Sequence, residues 1–84
     1  MKVFSIDDVI VGDVYKHFKG NFYKITGVAT HTETLEPLVL YSLLGDSKTT
    51  WARPLPEFFG ETTDIKGEKI TRFTKVGGIY EQKI

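Results

Sequence analysis

Cysteine is absent from the 84-residue chain. The absence excludes a disulfide framework and thiolate chemistry, and we expect a protein of the reducing cytoplasm. The first residues, Met1–Ser5, contain no apolar run of the length that a signal peptide needs, and no segment of the chain is long and apolar enough to span a bilayer. We therefore expect no membrane partner.

A net charge is also lacking, because eleven basic side chains balance eleven acidic ones. A neutral chain has no bulk field that would draw it to nucleic acid or to acidic membranes. The first predicted hairpin is weakly basic through Lys16, His17, Lys19 and Lys24. A solvated face explains these charges better than a nucleic-acid interface does, so nucleic acid is not the favoured partner.

Aromatic residues, by contrast, are plentiful for a chain of this length: six Phe, four Tyr and one Trp. Large rings fill a small core efficiently. A chain of this size has room for one hydrophobic core. We therefore treat residues 1–84 as a single domain.

Short runs of β-branched and aromatic residues predict five strands joined by tight turns. Pro54 and Pro56 must leave the sheet, because proline cannot donate to a strand ladder, and a short helical turn that plugs the core with Leu55 and Phe58 is expected there. The predicted elements are strands 14–18, 22–31, 38–44, 49–53 and 70–76, a helical turn 54–59 and a polar loop 61–67. The pattern predicts an all-β fold, a small SH3-like β-barrel of about five strands with a short helical turn after the fourth strand.

Polar residues follow the core-facing row of the second predicted strand. The row begins at Tyr23 and Ile25, and strict alternation continues it to His31 and Glu33. Polar groups at the end of an apolar row need partners, because an unpaired buried charge is costly. An imidazole and a carboxylate are therefore predicted at a barrel mouth or in a pocket.

Trp51 and Arg53 share a face of the fourth predicted strand. An indole two residues from a guanidinium offers a stacking surface and a cation. If the strands associate in sequence order, the third strand lies between the second and the fourth. Tyr41 is then expected to connect the His31 end to the Trp51 end.

Four separated blocks of the sequence stand out together: Tyr15–Tyr23, Ala29–Thr34, Val39–Tyr41, and Trp51–Leu55 with Phe58. In this order they resemble a family of short bacterial and phage-type proteins, the domain-of-unknown-function family sixteen-fifty-three. The resemblance covers about Gly12 to Phe59, and only Arg72 and Phe73 match the usual ending of the family beyond that point. It implies an SH3-like barrel and no established activity.

The reactive side chains allow several interpretations. His31 and Glu33 could pin the loop that follows the second strand, bind a ligand, form an acid–base pair, or hold a metal with further ligands. Trp51 could belong to the core, and Arg53 could pair with Glu33 or Glu36. No metal ligand set and no catalytic residue stands out from the sequence.

These residues favour a small non-catalytic ligand-binding protein that takes a nucleotide-like or other small anionic or aromatic ligand. A protein of this size could act by sequestering that ligand. The predicted ligand-binding residues are His31, Glu33, Thr34, Tyr41, Trp51 and Arg53. No cofactor is expected, and a homo-oligomer is left open. The alternatives are a small hydrolase that uses His31 and Glu33 as acid and base, and an interaction module for a peptide or RNA.

Overall fold

Five antiparallel strands form the main sheet of the protein. The computed structural model describes residues 4–46 and 48–78. The strands of the sheet are β1 Val14–His17, β2 Phe22–Thr30, β3 Pro37–Leu43, β4 Trp51–Pro54 and β7 Phe73–Gly77. They lie side by side in the order β4-β3-β2-β1-β7. A separate hairpin pairs β5 Glu61–Thr63 with β6 Lys69–Thr71, and two short helical segments are a 3₁₀ turn at Ile6–Asp8 and helix α1 at Leu55–Phe58.

Strand β2 shows the alternation that the sequence predicts. Its odd-numbered residues from Tyr23 to Ala29 are less exposed than their even-numbered neighbours, and Ile25 is fully buried. The register places Tyr41 of β3 opposite Ile25 on one side and opposite Trp51 of β4 on the other. The predicted position of the third strand between the second and the fourth is therefore confirmed.

The main sheet is strongly curved around an aromatic core. Tyr41 on β3 and Phe73 on β7 have ring centroids 5.3 Å apart, although β2 and β1 lie between their strands. In a flat sheet, three strand spacings of about 4.8 Å would separate the two rings by about 14 Å. Curvature therefore brings both ends of the sheet toward the same interior.

Helix α1 plugs this interior, as the sequence predicts. Leu55 and Phe58 are buried, and the Phe58 ring stacks on Phe73 with centroids 4.2 Å apart. Burial of such a side chain contributes about 1.5–3 kcal/mol. The described helices include none that is long and apolar enough to cross a membrane.

The all-β prediction is confirmed at the level of a five-stranded antiparallel sheet with a short helix. The prediction was wrong in the last third of the chain. The expected loop 61–67 contains β5, and the expected strand 70–76 is divided at Arg72 into β6 and β7. Pro54 stays in the sheet because β4 is an edge strand, where a missing N–H removes no ladder bond.

The connection from β2 to β3 is a tight turn fixed by His31. The His31 Nδ1 atom accepts the backbone N–H groups of Glu33 at 3.1 Å and of Thr34 at 3.3 Å. The backbone closes the turn, because the N–H of Leu35 donates to the carbonyl of His31 at 2.9 Å and the N–H of His31 donates to the carbonyl of Glu36 at 2.9 Å. The imidazole therefore acts as a turn cap.

Removal of the imidazole should destabilise this turn. We expect His31→Ala to lower the free energy of unfolding by about 1 kcal/mol, because two backbone donors lose their acceptor. His31→Asn should recover most of the loss, since an Asn side chain accepts the N–H two residues further on. Urea denaturation measures both changes.

Thr32→Ala is the control, because Thr32 is exposed in the same turn and such a change lies within about 0.5 kcal/mol of the unaltered protein. Equal stability of His31→Ala and Thr32→Ala would contradict the capping role.

Candidate functional site

An open pocket of about 190 Å³ lies on the concave side of the main sheet. Its lining combines buried core rings with partly exposed aromatic and basic side chains. The lining residues are His17, Tyr23, Tyr41, Trp51, Arg53 and Phe73. A concave site with apolar walls and a few polar groups is the usual form of a small-ligand site.

Strand register places the pocket residues on one face of the sheet. Trp51 lies opposite Tyr41, and Tyr41 is buried with 5% of its surface exposed. Trp51 itself is 52% exposed. Trp51 therefore forms an accessible wall of the pocket, and the interpretation that places it in the core was wrong.

Arg53 is held in place by two contacts. Its Nε–H group donates to the Tyr41 hydroxyl at 3.1 Å. Its Nη1 atom lies 3.8 Å from a carboxylate oxygen of Glu57, which is four residues further on in helix α1. The expected pairing with Glu33 or Glu36 was wrong, because helix α1 places Glu57 nearer. The contact with Tyr41 fixes the guanidinium against the core and turns it toward the pocket.

His17 forms the opposite wall on β1. The ring packs edge-to-face on Phe73, with centroids 5.0 Å apart. The His17 Nδ1 atom accepts the backbone N–H of Lys19 at 3.1 Å, so the neutral imidazole carries its proton on Nε2 and can donate it to a ligand.

A wider groove of about 550 Å³ adjoins the pocket, and both His17 and Arg53 line the two cavities. The groove is bounded by the turn after β1, by the segment around Arg72 and by the β5–β6 hairpin. Its other lining residues are Phe18, Lys19, Thr62, Thr63, Asp64, Ile65 and Arg72.

The charge around His17 is positive. Burial lowers the pKa of His17 below its usual value near 6.5, and the charges of Arg53, Lys19 and Arg72 lower it further. These groups disfavour another cation, so the imidazole is neutral at pH 7. The same field favours an anion.

Three of the predicted ligand-binding residues meet in this pocket, namely Tyr41, Trp51 and Arg53. The other three, His31, Glu33 and Thr34, lie in the β2–β3 turn and do not line it. His31 directly follows β2 and is six residues beyond Ile25, the residue level with Trp51, which corresponds to roughly 20 Å of extended chain. Tyr41 does not connect the two ends.

Two features of the β2–β3 turn explain this difference. Strand β2 ends at Thr30, so the alternation that was extended to Glu33 does not hold in the turn, and Glu33 is exposed. The hydroxyl of Thr34 donates to a carboxylate oxygen of Glu36 at 3.2 Å and accepts the backbone N–H of Glu36 at 3.3 Å. These side chains organise the turn.

The sequence interpretation missed His17, Tyr23 and Phe73 as pocket residues. A usable signal was present, because alternation from buried Tyr15 puts His17 on the inner face of β1 and Lys16 on the outer face. Treating the basic residues of the first hairpin as one solvated face concealed this difference. Within residues 4–46 and 48–78, no three His, Asp or Glu side chains group closely enough to hold a metal ion.

Comparisons with known proteins identify the family. The family model described as "Protein of unknown function (DUF1653)" matches residues 13–75. A crystal structure of a DUF1653 protein from Bordetella bronchiseptica is similar to this chain, with 30% identity and a TM-score of 0.68, and the match covers 89% of this chain and 96% of that one. No curated protein matches the sequence. The chain belongs to the DUF1653 family.

Proposed function

We propose that the protein is a non-catalytic binding module for a small anionic ligand that carries a planar aromatic group, with a nucleotide as the best fit. The observation that carries the proposal is that His17 and Arg53 line both the aromatic pocket and the cationic groove. A ligand at this junction contacts ring faces on one side and positive charges on the other.

Each part of the pocket has a matching ligand group. The exposed indole of Trp51 offers a face for a base, and stacking of a base on an aromatic side chain is worth about 1–3 kcal/mol. The guanidinium of Arg53 offers forked donors for a phosphate. His17 adds a neutral Nε2–H donor that gains strength if an anion promotes protonation of the ring.

Sequestration is the mode of action that we propose for such a module. Binding without turnover changes only the free concentration of the ligand, and a domain of 84 residues is large enough for that task. The hydrolase alternative has less support, because the Nδ1 atom of His31 accepts two backbone N–H groups of its own turn.

We also propose that the curved sheet is an SH3-like barrel. The short centroid distance between Tyr41 and Phe73 supports strong bending. The stack of Phe58 on Phe73, with centroids 4.2 Å apart, supports the barrel further, because helix α1 directly follows β4 and so joins that edge of the sheet to β7.

Variants of the pocket should weaken nucleotide binding. We expect Trp51→Ala and Arg53→Gln each to lower the affinity for a nucleotide by about 10-fold or more. Trp51→Ala removes the side chain that stacks on the base, and Arg53→Gln removes the charge that binds the phosphate. Isothermal titration calorimetry measures the affinities, after thermal-shift screening of mono-, di- and cyclic nucleotides has selected the ligand.

Phe22→Ala and Lys24→Gln are matched controls, because both side chains are exposed on the outer face of β2. They should leave the affinity unchanged. The proposal fails if no nucleotide stabilises the protein and native mass spectrometry finds no co-purified ligand.

Nucleotide binding should be coupled to proton uptake by His17. Burial lowers the pKa of this ring, and the charges of Arg53, Lys19 and Arg72 lower it further. Asp64 is the carboxylate that lines the same groove. A bound anion offsets the three positive charges and raises the pKa of His17. Affinity should therefore increase as the pH falls through and below about 6.5.

A cyclic nucleotide is the suitable probe, because its phosphodiester does not titrate in this range. Calorimetry in buffers of different ionisation enthalpy should detect proton uptake between pH 7.5 and 5.5, and His17→Gln should abolish it. The stability of the unbound protein should change in the opposite direction, since a lowered pKa in the folded state removes stability as the pH falls. An affinity independent of pH would contradict the coupling.

A further inference from the structure

The groove beside the aromatic pocket collects three basic side chains from separate parts of the fold. Lys19 lies in the turn after β1, Arg53 on β4, and Arg72 between β6 and β7. The chain as a whole has no net charge. This concentration of positive charge is therefore a local property of the groove.

The basic side chains are poorly compensated by carboxylates. Glu57 lies 3.8 Å from Arg53 and is mainly exposed, which makes the pair a weak one. Among the described residues, 4–46 and 48–78, no carboxylate lies within ion-pair distance of Lys19 or Arg72.

Asp64 is the carboxylate of the groove, and its role is structural. Its Oδ1 atom accepts the backbone N–H groups of Lys66 at 2.9 Å and of Glu68 at 3.0 Å. These contacts fix the turn of the β5–β6 hairpin, so one oxygen of the carboxylate is already occupied by backbone donors. The hairpin thus places one negative charge in a groove that holds three positive ones, and the groove keeps a net positive charge.

Both arginines are anchored through the same atom type. The Nε–H of Arg53 donates to the Tyr41 hydroxyl at 3.1 Å, and the Nε–H of Arg72 donates to the carbonyl of Glu57 at 3.1 Å. Anchoring at Nε lowers the entropy lost when the terminal guanidinium nitrogens bind an anion. The two guanidinium groups are thus positioned before a ligand arrives.

We propose that the ligand is a nucleoside polyphosphate, with two or more phosphates in a row. The inference rests on the proposed function and assigns the groove to it. The base occupies the pocket at Trp51, the first phosphate lies at the His17–Arg53 junction, and the following phosphate lies between Lys19 and Arg72.

The sizes and charges of the cavities favour this assignment over a monophosphate. The pocket measures about 190 Å³ and the groove about 550 Å³. A single phosphate at the junction would leave most of the groove, and the charges of Lys19 and Arg72, without a ligand group. A second phosphate supplies the counter-charge and charge-assisted hydrogen bonds at the place where they are lacking.

A series of ligands that share one base tests the proposal. Affinities are measured by calorimetry for the nucleoside, its monophosphate and its diphosphate, and for pyrophosphate alone, in the absence of divalent cations. We expect the diphosphate to bind about 10-fold more tightly than the monophosphate and more tightly than pyrophosphate. Lys19→Gln should reduce the affinity for the diphosphate by about 10-fold and the affinity for the monophosphate much less, because Lys19 acts on a phosphate at the junction only through its long-range charge.

Lys16→Gln is the matched control, because it removes the same charge from the outer face of β1, where the Lys16 Nζ atom lies over the Phe22 ring. It should leave the diphosphate affinity unchanged. Arg72→Gln should act like Lys19→Gln, and thermal unfolding checks that the loss of its contact with Glu57 has not unfolded the protein.

The outcomes separate this inference from the proposed function. Equal affinity for monophosphate and diphosphate, or an equal loss of both in Lys19→Gln, overturns the polyphosphate assignment while the binding function stands. Absence of binding by every member of the series overturns the binding function itself.

Discussion

The stacking of Phe58 on Phe73 is the interaction on which the rest of the structure depends. It joins helix α1 to β7 with ring centroids 4.2 Å apart, and Tyr41 packs edge-to-face on both rings. Because β3 and β7 are not neighbours in the sheet, this cluster requires the sheet to curve. The curvature then brings Arg53 of β4 and His17 of β1 to the same pocket.

Much of the fold was predictable because local patterns and tertiary packing agree in β2 and β3. Alternation identified the buried face of β2, and Pro54 and Pro56 located the short helix. Patterns failed where a short strand carries polar residues, as in β5 with Glu61–Thr63. Such a strand is stabilised by its partner in the hairpin, and sequence alone does not reveal that partner.

The candidate site was half predictable for a similar reason. Trp51 and Arg53 share a strand face by local geometry, and β3 lies next to them, so Tyr41 could be placed beside them. His17 lies on β1 and Arg72 directly precedes β7, on the far side of the sheet order from β4, and only curvature brings them near. His31 drew attention as a titratable residue, but its ring nitrogen satisfies backbone donors in a turn.

A chain without net charge can still present a locally cationic groove, and the central claim is that a nucleotide binds there. Nuclear magnetic resonance of ¹⁵N-labelled protein, titrated with a nucleoside diphosphate, tests it most directly. We expect saturable shift changes at the indole N–H of Trp51, the sole tryptophan, and at Arg53 and His17, with the turn His31–Glu36 unchanged. Shift changes centred on that turn, or none at saturating ligand, would contradict it.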